Sequence, residues 1–305
     1  PAENQLFFFV AFALLHTTVS DLRNEMEKIV QASASLDDLS SDLSLVMESM
    51  KVLHTREKTP PLKNLLPFEN GDIVFTKVTF AYPARPDNII LRGFDFRFQQ
   101  GKSYGVAGKN GIGKSTITKS LLKLYDLRTG EITVAGKNIQ SIDTPSLHQR
   151  TCYLTNRPGF FQMSIAENVF YPSPMNQEDI EKNLAQLTQA AKRTGICEFI
   201  ESLPQGFRTE LKEKGGDLSE GQKQQIAAMR IFIRDYDIYI FDEILSNVQK
   251  DLKIKILANI FARLENKTII VIDHHYDIFQ YVNDIYQFTG EKLIKLKKEE
   301  LLEKK

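Results

Sequence analysis

Cysteine is scarce: the chain has two, Cys152 and Cys197, in 305 residues. They lie far apart and fit no metal-ligand spacing, so both read as free thiols of a reducing compartment, buried as small apolar groups. Net charge is missing too, because 39 basic and 39 acidic side chains cancel. That leaves no basic footprint and no acidic tail, and nucleic acid is not an expected partner. Long apolar runs are few. Leu6 to Leu15 is unbroken over ten residues, about half of what a bilayer span needs. No internal repeat is visible. Pro1 opens no charged n-region, so no signal peptide is expected, and the chain reads as the C-terminal part of something longer. What is present is an ordinary 42% apolar content, enough for a globular core and about two domains.

From Ser20 to Met50 the apolar residues Leu22, Met26, Ile29, Val30, Leu36, Leu39, Leu43, Val46 and Met50 recur at helical spacing. Asp21, Glu25, Asp37, Asp38 and Asp42 take the other faces. Two readings fit: a membrane helix running on into the cytosol, which the apolar stub favours, and a helical hairpin packed on the same domain. Residues 1–56 form this first segment. A linker over 57–70 contains Pro60, Pro61 and Pro67, and a globular domain is expected over 71–296.

Inside that domain, Asp72 to Tyr82 and Phe94 to Gln99 alternate as strands. Another strand is expected over Glu131 to Ala135, with a turn at Gly136-Lys137-Asn138. Ile238 to Phe241 and Thr268 to Ile272 have the length of buried parallel strands. Met163 to Arg230 is mostly helical in pattern. Strands alternating with helices predict an α/β core with a helical insertion. The tail from Lys295 is charged and expected to be solvated.

Gly108-Lys109-Asn110-Gly111-Ile112-Gly113-Lys114-Ser115 fits G-x-x-x-x-G-K-[ST], the Walker A phosphate-binding loop. Its glycines let successive N–H groups turn toward a polyphosphate. Lys114 supplies a point charge, and the Ser115 hydroxyl can ligate Mg²⁺. Lys102 to Ala107 reads as a buried strand entering the loop and Ile117 to Tyr125 as the helix leaving it, its positive end toward the phosphates. Ile238-Tyr239-Ile240-Phe241-Asp242-Glu243 is an apolar strand ending in two carboxylates, a Walker B motif. Asp242 is placed to hold the Mg²⁺ shell and Glu243 to polarise an attacking water.

Leu218-Ser219-Glu220-Gly221-Gln222 resembles the signature of ATP-binding cassette (ABC) ATPases. Residues 71 to 290 resemble that family in motif order, and the apolar stub with its helix resembles the end of an exporter's last transmembrane helix. The resemblance implies an α/β P-loop NTPase core of the ABC type. It adds an antiparallel β subdomain, a helical subdomain over about 162–230, and a preceding helix from the membrane domain. It implies ATP and Mg²⁺ as ligands and a head-to-tail dimer with a second nucleotide-binding domain, identical or not. It also implies a transmembrane domain as partner and a place on the cytoplasmic face of a membrane. By resemblance Tyr82 stacks on adenine. Gly108, Asn110, Gly111, Gly113, Lys114, Ser115 and Thr116 hold phosphates, and Ser115 and Asp242 hold the metal. Glu243 and His274 are catalytic, and Ser219 and Gly221 reach the partner's nucleotide. Glu213 and the segment Ser164 to Val169 match exporter segments, the former facing the membrane helices.

Four positions depart from the family pattern. Asn156 stands in place of the Q-loop glutamine, one methylene short. Glu220 replaces the first signature glycine and would bring a carboxylate toward a polyanion. Gln249 replaces the D-loop aspartate, and Gln225 stands where arginine is usual. The resemblance therefore implies either an ATP-hydrolysing exporter half or an ATP-binding regulatory half with weak hydrolysis. A soluble cassette ATPase of DNA repair or translation would lack the apolar stub and the exporter loop.

Overall fold

The computed structural model describes residues 65–297 with the exception of Pro174. The apolar stub, the long amphipathic segment and most of the proline-containing linker lie outside the described residues. Residues 65–70 lie along the domain: Leu66 N–H donates to the Ser141 carbonyl at 2.8 Å and Phe68 N–H to Ser146 Oγ at 3.0 Å.

A four-stranded antiparallel sheet is built from β1 (Ile73–Ala81), β2 (Ile89–Phe98), β4 (Thr129–Val134) and β5 (Lys137–Asn138), in the order β2-β1-β4-β5. The expected alternation of β1 is real but interrupted: Lys77 takes φ 47° where the pairing with β2 shifts register. Strand β4 stops at Val134, one residue before the sequence pattern predicts. Ala135 and Gly136 both adopt positive φ, 52° and 75°, and form the two-residue connection to β5 that a tight hairpin demands.

The second sheet has six strands in the order β10-β9-β3-β8-β7-β6. Strand β3 (Ser103–Ala107) lies parallel between β8 (Thr268–Ile272) and β9 (Asp284–Phe288). Beyond β8 follow β7 (Ile238–Asp242) and β6 (Thr151–Thr155), also parallel. Only β10 (Leu293–Leu296) is antiparallel, paired with β9. Two residues of the expected tail, Lys295 and Leu296, belong to this edge strand; Lys295 stays exposed, and its Nζ reaches Asp284 at 2.6 Å. A lysine on an edge strand is compatible with pairing on one side and water on the other.

The six-stranded sheet is the middle layer. Alternate residues of its central strands enter two different cores. Ile238, Ile240, Ile270 and Ile272 join Phe75, Phe94 and Phe98 of the antiparallel sheet. Tyr239, Phe241, Ile269 and Val271 join the helical side. Burial on both faces is why these strands read as continuous apolar runs. Each such side chain contributes about 1.5–3 kcal/mol.

Helix α1 (Lys114–Leu121) follows β3 and sends Ile117 and Leu121 into the first of those cores. It begins three residues before the apolar pattern and ends short of Tyr125, where Lys123 takes φ 54°. Helix α2 (Thr144–Gln149), capped by Asp143, precedes β6. The helical region holds α3 (Ile165–Phe170), α4 (Gln177–Lys182), α5 (Leu184–Thr194), α6 (Cys197–Ser202) and α7 (Glu220–Ile233). Reciprocal capping boxes start three of them: Ser164 with Glu167, Asn176 with Asp179, and Ser219 with Gln222. Helix α8 (Lys250–Arg263) joins β7 to β8. Both cysteines are buried free thiols, and burial pushes Cys152 up to about 12.

Candidate functional site

The register of the parallel strands places their carboxyl ends level with one another. Val106 of β3 pairs with Ile272 of β8, Ile272 with Asp242 of β7, and Asp242 with Thr155 of β6. The segments that leave these four ends carry Gly108–Ser115, His274, Glu243 and Asn156. Residues more than a hundred positions apart thus meet along one sheet edge, the usual ligand edge of an α/β sheet.

The loop Gly108–Gly113 curls around the Lys114 ammonium, which donates to the carbonyls of Gly108 at 2.8 Å and Lys109 at 3.0 Å. Gly113 caps α1 at φ 107°, and a Cβ there would stand 2.4 Å from Ile90 Cγ2. Only glycine fits that position. Lys114 is 5% exposed. Burial lowers its pKa, while Glu243, Asp242 and Asp273 oppose the shift. The ammonium therefore sits in a field of three carboxylates.

Asp242 ends β7. Burial raises its pKa; hydrogen bonds from Ser115 and Tyr153 and the field of Lys119 pull the other way. Tyr153 Oη donates to Asp242 Oδ2 at 3.2 Å. Glu243 follows in the left-handed region at φ 53°, and its N–H donates to the Ile272 carbonyl at 2.8 Å. A non-glycine residue held there costs about 1–2 kcal/mol. The turn aims the Glu243 carboxylate at two partners: His274 Nδ1 lies 3.2 Å from Oε1, and Asn156 Nδ2 lies 3.4 Å from Oε2. The His274 ring rests on His275 at 3.9 Å between centroids. Asp273 is 2% exposed and accepts from the His275 N–H at 2.8 Å.

Tyr82 stands after β1 with its hydroxyl 3.1 Å from Thr116 Oγ1. Its ring packs edge-on against Phe80 and Tyr125, at 5.0 and 5.2 Å. Asn110 and Gly111 lie on the outer part of the loop, exposed. Ser219 caps α7, and its side chain bonds within its own capping box, accepting from the Gln222 N–H. Gly221, in the first turn, lies so close to the loop after β7 that a Cβ would stand 2.8 Å from the Asn247 carbonyl.

Motif reading missed two polar side chains that the structure places at the site. Tyr153 sits inside an apolar strand, and nothing in the sequence says which way it points. Gln224 sits within a run of polar residues, Gln222 to Gln225, that carries no periodic signal. The Glu220 charge also looks different in context. Its Oε1 is 2.8 Å from Lys223 Nζ on the same helix, so the carboxylate is paired and not bare. Among the described residues, no helix is long and apolar enough to cross a membrane.

A glycine-rich loop between strand and helix at the carboxyl edge of a parallel sheet, with paired acids at the end of the strand next but one, defines a P-loop nucleotide-binding domain. The family model of the ABC transporter matches residues 91–246, and the chain belongs to that family. It is 31% identical to ABC transporter B family member 3 of Dictyostelium discoideum over 312 residues, covering 99% of this chain and 21% of the relative. It is 34% identical to the ABC multidrug transporter atrD of Emericella nidulans over 224 residues, covering 73% of this chain and 16% of the relative. A solved bacterial Atm1-family ABC exporter with ATP bound superposes with a TM-score of 0.71 at 28% identity, over 80% of this chain and 42% of that one. The chain thus spans about a fifth or less of these two curated relatives.

Proposed function

We propose that this chain is the nucleotide-binding part of an ABC exporter and hydrolyses ATP to drive a substrate across a membrane. The observation that carries the proposal is the level sheet edge where Lys114, Asp242, Glu243 and His274 converge. Residues 71–296 form the catalytic domain in this reading, with a membrane-derived segment over 1–56, a linker over 57–70 and a tail over 297–305.

Tyr82 offers its ring to adenine, and its hydroxyl bond to Thr116 fixes the ring beside the phosphate loop. Gly108, Asn110, Gly111, Gly113, Lys114, Ser115 and Thr116 take the phosphates. The donor set suits Mg²⁺: a half-buried carboxylate beside a serine hydroxyl is a hard oxygen pair of the kind this ion uses together with substrate phosphates. Ser115 and Asp242 would hold it, and the ion would supply charge neutralisation for the phosphates. Glu243 accepts a hydrogen bond from the attacking water. His274 and Asn156 hold the Glu243 carboxylate in place, and His274 also contacts the γ-phosphate.

Ser219 and Gly221 face the nucleotide of a second domain in a head-to-tail pair. Toward the membrane domain, the segment Ser164–Val169 carries α3. The rings of Phe161 and Tyr171 flank it, 4.6 Å apart and 47% and 45% exposed. Such a ring pair in water favours burial under a partner segment. The domain then lies on the cytoplasmic face. Two observations favour competent hydrolysis over the weak regulatory half: Asn156 still reaches Glu243, and Glu220 carries its own counter-charge.

The test is phosphate release and ATP retention by the full chain with Mg²⁺. Glu243→Gln is expected to lower turnover by about 10²-fold or more while ATP stays bound. Lys114→Ala is expected to lose ATP binding. Parent-like turnover in Glu243→Gln, or undiminished binding in Lys114→Ala, would sink the reading.

A further inference from the structure

Gln224 is 3% exposed. A neutral amide so deeply placed must spend its hydrogen bonds within the protein. Its Nε2 donates to the Asn156 carbonyl at 2.7 Å and to Ser246 Oγ at 3.1 Å. Its Oε1 accepts from the Asn247 N–H at 3.0 Å. A carbonyl can only accept and a backbone N–H can only donate, so the amide has one orientation. Both of its N–H groups and its oxygen are used.

These partners belong to two loops far apart in sequence. Asn156 follows β6; Ser246 and Asn247 follow β7. Gln224 holds both loops to one turn of α7, next to Gly221, whose missing side chain lets the Asn247 carbonyl approach. From Asn156 the connection continues to Glu243 across 3.4 Å. That bond lies beyond the usual N–H···O range, and asparagine is one methylene shorter than glutamine, about 1.5 Å less reach.

We propose that Gln224 is a positioning residue for hydrolysis. It fixes the main chain of Asn156 where a short amide can still engage Glu243, and it supplies by backbone placement the reach that the side chain lacks. A residue that merely fills space would act alike whatever stands at position 156; a positioning residue would not. The inference rests on the ATPase reading above.

The experiment compares the full chain as parent, Gln224→Leu, Asn156→Gln and the double variant. Turnover is followed by phosphate release, and affinity by a fluorescent ATP analogue. Gln224→Leu is expected to lower kcat about tenfold, with ATP affinity within about twofold of the parent. In the Asn156→Gln background, where the longer amide reaches by itself, the same substitution is expected to cost no more than about threefold. An equal loss in both backgrounds, or a parallel loss of affinity, would overturn the proposal. Should Gln224→Leu fail to fold, Gln224→Glu replaces it. That variant keeps the volume and the acceptor for Asn247 N–H but removes both donors, and it is expected to follow the same pattern. A parent without turnover would instead overturn the ATPase reading. An active parent with a background-independent loss overturns this inference alone.

Discussion

Glu220 and Lys223 form an ion pair across one turn of α7, with 2.8 Å between Oε1 and Nζ. Glu220 is half exposed while Lys223 is mostly covered. An exposed pair at this spacing is worth roughly 0.3–0.5 kcal/mol to the helix. The lysine also offsets part of the repulsion between the signature carboxylate and an arriving γ-phosphate. Removing Glu220 deletes a negative charge and frees a positive one. Glu220→Gly is therefore expected to raise ATP-driven association of two domains and turnover about threefold at low salt, with less effect at high salt. It should also cost about 0.5–1 kcal/mol of stability through the helix start. ATPase rates and thermal melts of parent and variant at two ionic strengths check both parts. An unchanged rate at low salt would mean that the pair already cancels the charge.

Gly221→Ala tests the close approach of α7 to the loop after β7. Alanine favours the helix by about 1 kcal/mol, but its Cβ would stand 2.8 Å from the Asn247 carbonyl. That carbonyl belongs to backbone already held through its own N–H by Gln224. The clash should win, with a net loss of about 1–2 kcal/mol. A lower melting temperature and slower ATP turnover are expected. A variant more stable than the parent would refute this close packing.

Asp242 carries a cost of burial. Its pKa is raised, chiefly by desolvation. A carboxyl whose folded pKa lies above its unfolded value destabilises the fold when ionised, and that cost vanishes once pH falls below the unfolded value of about 3.9. Asp242→Asn is thus expected to melt higher than the parent at pH 7 in the absence of nucleotide. The advantage should shrink as pH falls toward 4. The same variant should lose Mg²⁺-dependent ATP turnover. Thermal melts across pH 4–7 would contradict this if the variant were less stable throughout.

Much of the fold was legible in the chain itself. The runs Ile238–Phe241 and Thr268–Ile272 announced buried parallel strands because both of their faces enter a core. Gly113-Lys114-Ser115 announced the loop because only glycine tolerates φ 107° beside Ile90. The edge strand Leu293–Leu296 is masked in the sequence by Lys295 and the lysines that flank it, since one side of an edge strand is free to be polar. The sequence pattern puts the hairpin turn one residue late because Ala135, not a typical left-handed residue, shares it with Gly136.

Local sequence determined which chemistry was on hand: the phosphate loop, the paired acids and the helix caps all depend on neighbours within a few residues. The tertiary structure decided how that chemistry is held. The bonds from Tyr153 to Asp242, from Asn156 to Glu243 and from Gln224 to two separate loops join positions 89, 87, and 68 and 23 residues apart. Such contacts arise only when strand order and register bring four strand ends level. Periodicity along a chain reports which face a side chain takes, but not which distant group it will meet there.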